Sequence, residues 1–160
     1  GNHEHRIKRA LQHDPRLEGK KYGVSFEHLH THRYYDEYHH YENGAPAIKS
    51  YDGINYAHYI ASGNYGTALS GLHHGYALTV KMSSSATVGH SHKFSYFRKQ
   101  EARPNPIHGL VAGCFKGKDE HWAGQANNEW VKGVAIKRNI NNGNYDLSWI
   151  SMEALEQQYG

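Results

Sequence analysis

The 160-residue sequence predicts an α+β fold on three observations: a segment with apolar spacing for a helix near the middle, flanking segments that alternate for strands, and no long helical period elsewhere. One compact domain over residues 1–160 is the expectation at this length.

Residues 3–22 are polar and basic with apolar points at Ile7, Leu11 and Leu17, which predicts a short strand over Ile7 to Leu11. Asp14-Pro15 then marks a turn, and a short helix or turn runs to Gly23. The His- and Tyr-rich stretch 24–48 has no clear period and reads as irregular surface chain ending at Asn43-Gly44 and Ala45-Pro46. Ile54, Ala57, His58 and Ala61 stand at helical spacing, so a helix from about Asp52 to Ser62 is expected, capped by Asp52 and ended by Gly63 and Gly66. HHGYALTVKM alternates, with Tyr76, Leu78, Val80 and Met82 on one side, and predicts a strand. The run 83–89 reads as a linker and HSHKFSYF as a second strand. A Pro-broken connection (101–110) leads to the short apolar piece VAGCF, and the alternating YDLSW runs into helix formers at the end.

The formal charge is +3 with fifteen His, so the surface becomes strongly cationic only as pH approaches the His pKa. A single Cys, Cys114, excludes an internal disulfide. No apolar run reaches bilayer length and the first residues lack a signal-peptide core, so no membrane association is expected. His28, His30 and His32 alternate, as do His90 and His92, but H-x-H pairs without further ligands do not predict a metal centre. Phosphate-loop and nucleophile-elbow chemistry find no motif. A His/Lys/Tyr set for metal-independent RNA cleavage is easily drawn from this composition, although no spacing selects the acting His.

The densest candidate site is His121 to Ile140, HWAGQANNEWVKGVAIKRNI. An amide-rich loop delivers one carboxylate, Glu129, to the start of an apolar strand, an arrangement that fixes an acid while leaving the loop free to meet a partner.

Taken in order, Ile7-Lys8-Arg9-Ala10, Ser50 ahead of a helix, HHGYALTVKM, HSHKFSYF and Asn128-Glu129-Trp130 resemble the Arg-Ser-Glu mono-ADP-ribosyltransferases, the catalytic subunits of pertussis toxin and of the cholera and heat-labile enterotoxins. The resemblance covers most of residues 5–150. It implies an ADP-ribosyltransferase-like fold of two small, mostly antiparallel sheets around an NAD cleft with flanking helices. It further implies transfer of ADP-ribose from NAD to a macromolecular acceptor by a toxin or effector that is secreted or delivered into a target cell, with a delivery or immunity protein as a possible partner.

On that resemblance Arg9 with Ala10 holds NAD, Ser50 supports the site, His40 (or His39) is the toxins' His, and Glu129 is the catalytic acid. Leu11 replaces an acidic residue of the family, a position near His13 replaces its second Arg, and Asn127 stands where it carries Glu or Gln. Cleaving the nicotinamide–ribose bond develops positive charge on the ribose, which a buried carboxylate would stabilise. A guanidinium suits the pyrophosphate. Tyr51 or Tyr56 would stack on nicotinamide, and Trp122, Gln125, Asn127 and Trp130 would meet the acceptor. The alternatives are an NAD glycohydrolase or inactive family member, the His/Lys nuclease toxin, and a non-enzymatic interaction protein.

Overall fold

A computed structural model describes residues 2–102 and 104–160, which fall into two compact units, 1–47 and 48–160. The chain is α+β: a five-stranded mixed sheet, two small hairpins, three α-helices and several 3-10 turns among the described residues. No helix among them is long and apolar enough to cross a membrane.

The first unit opens with helix α1 (Asn2–His13), where a strand over Ile7 to Leu11 was expected. Ile7 and Leu11 are four apart, one turn of a helix, and with His5 and Lys8 they line one side of α1. The helix stops before Asp14, whose carboxylate accepts from the Arg16 N–H and caps a 3-10 turn beginning at Pro15. Residues 24–47 are irregular, as expected, with 3-10 turns at Phe26–Leu29 and Thr31–Arg33.

The second unit begins with β1 (Lys49–Tyr51) and β2 (Ile54–Ala57), an antiparallel hairpin that replaces the expected helix over 52–62. Its two-residue turn, Asp52 (φ 51) and Gly53 (φ 77), is the Asp-Gly signal of a tight hairpin, and this local chemistry outweighs the helical spacing of Ile54 and Ala57. The small pair β3 (Ala61–Ser62) and β4 (Thr67–Ala68) follows.

HHGYALTVKM is helix α2 (His74–Met82), not a strand. Gly75, Leu78 and Thr79 are buried at helical spacing, whereas Tyr76 and Val80, which a strand would place beside Leu78, are about half exposed. The run read as a linker contains β5 (Ser85–Val88), a central strand. β6 (Phe94–Lys99) is the strand expected in HSHKFSYF, starting at Phe94 because His90 (φ 63) and His92 (φ 57) turn the chain. β7 (Ile107–Ala112) extends the VAGCF piece back into the supposed connection.

The sheet order is β1-β2-β5-β7-β6, with β2, β5 and β7 parallel and both edge strands antiparallel to their neighbours. On one face lies α2, packing Leu78 with Ile60, Val88 and Val111 in the apolar core. Gly75 and Gly109 make the contact: a Cβ on Gly109 would collide with the Gly75 carbonyl oxygen. The other face is covered by the long hairpin of β8 (Gly133–Asn141) and β9 (Asn144–Ser151), turned at Asn142 and Gly143. Helix α3 (Met152–Tyr159) ends the chain, its Ala154 N–H donating to the Ser151 hydroxyl.

Candidate functional site

Three segments of the second unit converge on a cleft of about 680 Å³. Ser70 to His74 lead into α2, Ser91 to Ser95 lead into β6, and Glu129 with Val131 come from the stretch before β8. The left-handed His90 and His92 bracket Ser91 and bring it and Lys93 to the wall. The Val131 N–H donates to the His92 carbonyl at 2.9 Å, and the Trp130 indole packs edge-on to the His92 ring at 4.4 Å. At the sheet end the Gly75 N–H donates to the Ser95 hydroxyl at 3.0 Å.

Two buried polar atoms along this wall lack a partner in the protein: His74 Nε2 and Ser91 Oγ. His74 is 5% exposed, and burial, reinforced by nearby His90, lowers its pKa, so its neutral form is favoured. Buried polar groups without partners are rare and ask for a ligand or a water. Beyond His74, His90 shares a hydrogen bond with His58 at 3.0 Å, and its own pKa is lowered by burial.

Glu129 faces the same cleft, but as an exposed group rather than the buried carboxylate expected: its side chain is 65% accessible. Lys93 Nζ lies 2.5 Å from its carboxylate, and that hydrogen-bonded pairing holds Glu129 below the usual carboxylate range. The expected loop is a compact 3-10 stretch, His121–Glu129, kinked at Gly124, and β8 begins only at Gly133, so Glu129 ends a turn and does not start a strand.

Asn127 is drawn inward, bonding the Glu120 backbone through both amide atoms (2.8 and 3.0 Å) and the Gly124 carbonyl, so it holds the loop together instead of facing an acceptor. Gln125 is exposed. Trp122 and Trp130 lie 5.8 Å apart with Lys116 Nζ over both rings, and Trp122 donates its indole N–H to Glu120.

The other expected site residues of the second unit, Ser50, Tyr51 and Tyr56, do not gather here. Ser50 lies exposed on edge strand β1, whereas Lys93 immediately precedes the opposite edge strand β6, four strand spacings or about 19 Å across the sheet. Tyr51 and Tyr56 are 6.1 Å apart, and Tyr56 belongs to the hairpin-covered face, where Lys137 lies over its ring. Arg9, Ala10 and His40 belong to the first unit. Arg9 is exposed on α1, which is a helix where the toxins have a strand, and the Ala10 carbonyl accepts from the Asp14 N–H. His40 packs on Phe26 at 4.6 Å and lines a pocket of about 440 Å³ with His5, Ile7, Leu11 and Tyr41, a set that does not include Arg9.

The alternating histidines lie on turns, not strands: His30 is left-handed between two 3-10 turns and His28 bonds the Lys20 carbonyl. Among the described residues no group of three or more His, Cys, Asp or Glu side chains is placed to hold a metal ion. His74, Ser91 and Lys93 are not singled out by the sequence, which marks only the His90/His92 alternation and the strand in HSHKFSYF.

Comparison of the chain with protein-family models, with curated proteins and with solved structures finds no match.

Proposed function

We propose that the His74–Lys93–Glu129 cleft cleaves RNA phosphodiesters without a metal, as the active site of a toxin or effector domain. The observation that carries this reading is the buried, unpartnered His74 Nε2 on the wall of a cleft that also holds a lysine–glutamate pair. Neutral imidazole accepts the proton of a ribose 2′-hydroxyl, the freed oxygen attacks the adjacent phosphorus, and the 5′-oxygen leaves with a proton from water, giving a 2′,3′-cyclic phosphate. Lys93 neutralises the charge gathering on the phosphoryl oxygens, and Glu129 holds the ammonium in place until substrate arrives. Ser91 supplies a hydroxyl for a phosphate or ribose oxygen.

A second reading keeps the transferase resemblance: ADP-ribose passes from NAD to a macromolecule, or to water in a glycohydrolase. The presence of Glu129 in a cleft of nucleotide size favours it. In that case Lys93 takes the pyrophosphate and releases Glu129 to the ribose. Ser50, Tyr51 and Tyr56 do not line this cleft. The finer ADP-ribosyltransferase-like architecture belongs to this reading, and the parallel centre of the sheet does not favour it.

The test incubates wild type, His74→Ala, Lys93→Met and Glu129→Gln with labelled single-stranded RNA in chelator and, separately, with NAD and lysate. RNA cleavage that falls by about 100-fold or more in His74→Ala supports the first reading. Nicotinamide release that collapses in Glu129→Gln while RNA stays intact supports the second. Turnover of neither substrate by the folded protein contradicts both.

A further inference from the structure

On the opposite face of the sheet, Lys137 of β8 reaches inward instead of into solvent. Its Nζ lies 2.6 Å from Thr87 Oγ1 on β5 and 3.1 Å from the Tyr56 hydroxyl on β2. It also sits over the rings of Tyr56, at 4.2 Å, and of Tyr145 on β9, at 5.0 Å. Other titratable neighbours are His108 on β7, close enough for the lysine charge to lower its pKa, and Cys114, which lines the same pocket as Lys137. Among the described residues no carboxylate forms an ion pair with Lys137. A lysine drawn into the protein is ordinarily paired with an acid; this half-buried one meets hydroxyls and aromatic faces instead.

The amine also lines a pocket of about 510 Å³ whose other walls include Leu110, Phe115, Val134 and Ile140. The pocket therefore presents one amine, with the Cys114 thiol also in its lining, at a largely apolar wall, the arrangement that receives an apolar molecule with a single electrophilic carbon. We propose that Lys137 captures the carbonyl group of an apolar or aromatic aldehyde or ketone in this pocket as an imine.

In that step the Lys137 nitrogen lone pair adds to the carbonyl carbon, the carbonyl oxygen takes up two protons and leaves as water, and a C=N bond replaces C=O. No oxidant or reductant is involved. Thr87 and Tyr56 are placed to accept from and donate to the nitrogen and the departing oxygen. Burial pulls the Lys137 pKa down to about 8, so at pH 7 its free-amine fraction is about 300 times that of an ordinary lysine. Several other lysines, by contrast, are paired with acids, as in Lys20–Glu27 and Lys93–Glu129.

The test treats the purified chain with benzaldehyde and sodium cyanoborohydride, which reduces an imine to a stable secondary amine, and maps the adduct by peptide mass spectrometry. The expected result is saturable labelling of Lys137 at least about tenfold faster than that of any other lysine at pH 7. The rate should rise to a plateau with a midpoint near pH 8. Lys137→Arg, which keeps the cation over the two rings but lacks the nucleophile, should abolish the fast phase. Labelling spread evenly over surface lysines, or an unlabelled Lys137 in folded wild type, overturns the proposal; neither outcome depends on a variant folding.

Discussion

The two faces of the five-stranded sheet are held by different forces. Under α2 the contact is apolar and tight: Leu78, Val88 and Val111 pack together, and Gly75 and Gly109 let helix and strand approach backbone to backbone. Under the β8–β9 hairpin the contact is largely polar. The Ser85 hydroxyl donates to the Gly143 carbonyl at 2.6 Å and accepts from the His108 N–H at 3.0 Å. His108 bridges the Tyr96 hydroxyl (2.7 Å) and Asn144 (2.9 Å) and stacks on Tyr145 at 4.3 Å.

The first face fixes one packing by shape, and the second fixes the hairpin register through the hydrogen bonds of Ser85 and His108. Buried polar atoms without a hydrogen-bond partner occur under the hairpin too, at the Tyr145 hydroxyl, and at the cleft wall, at His74 Nε2 and Ser91 Oγ. The two at the cleft wall line an open pocket, which leaves room for a polar ligand.

The largest effect expected is on the tight face. Gly109→Ala forces a methyl into the Gly75 carbonyl and should cost more than about 3 kcal/mol, read as loss of a cooperative denaturant transition. Leu78→Ala, fully buried in the same layer, should cost about 2–5 kcal/mol. On the polar face Ser85→Ala leaves the Gly143 carbonyl and the His108 N–H without their partner and should cost about 1–3 kcal/mol. If Ser85→Ala proved as damaging as Gly109→Ala, the contrast between the faces would fail.

The pH dependence sharpens the same comparison. His74, His90 and His108 all have pKa values lowered mainly by burial, so over the window below about pH 6.5 the unfolded chain binds more protons than the folded one. Stability should therefore fall as pH drops through 6.5, and His108→Gln should remove part of that slope in melts at several pH values.

A further pH effect is expected at Lys137. Its folded pKa, about 8, lies below the ordinary 10.5, so between those values the unfolded chain holds the extra proton and this group's contribution to stability rises with pH. Relative to Lys137→Met, wild type should gain stability from pH 8 to 10.5 and change little below 8. A flat difference would mean that the amine is solvated.

The sequence made the class legible, and it located β6, the β9–α3 end and the irregular stretch before residue 48. It misled where two signals overlapped. In HHGYALTVKM the alternation of Tyr76, Leu78 and Val80 mimics a strand, although Gly75, Leu78 and Thr79, with Met82 partly covered, carry the helical period that is buried. At Asp52-Gly53 the hairpin turn was passed over for apolar spacing. β5 was hidden because Ser85 and Thr87 face polar partners, so a central strand reads as a linker.

Within the candidate site Glu129 was visible as a lone acid beside an aromatic loop. Its partner Lys93 and the base His74 were not, because their meeting depends on two left-handed histidines and on a helix mistaken for a strand.

The most direct test of where the chemistry lies is amide shift mapping of the isotope-labelled chain titrated with uridine 3′-monophosphate. Shifts that saturate together at Gly71, Leu72, Ser91, Lys93 and Glu129, and that vanish in Lys93→Met, are the result predicted by an incomplete polar wall waiting for a phosphate and a ribose. Saturating shifts confined to the His108–Tyr145 face, or none at millimolar ligand, would contradict it.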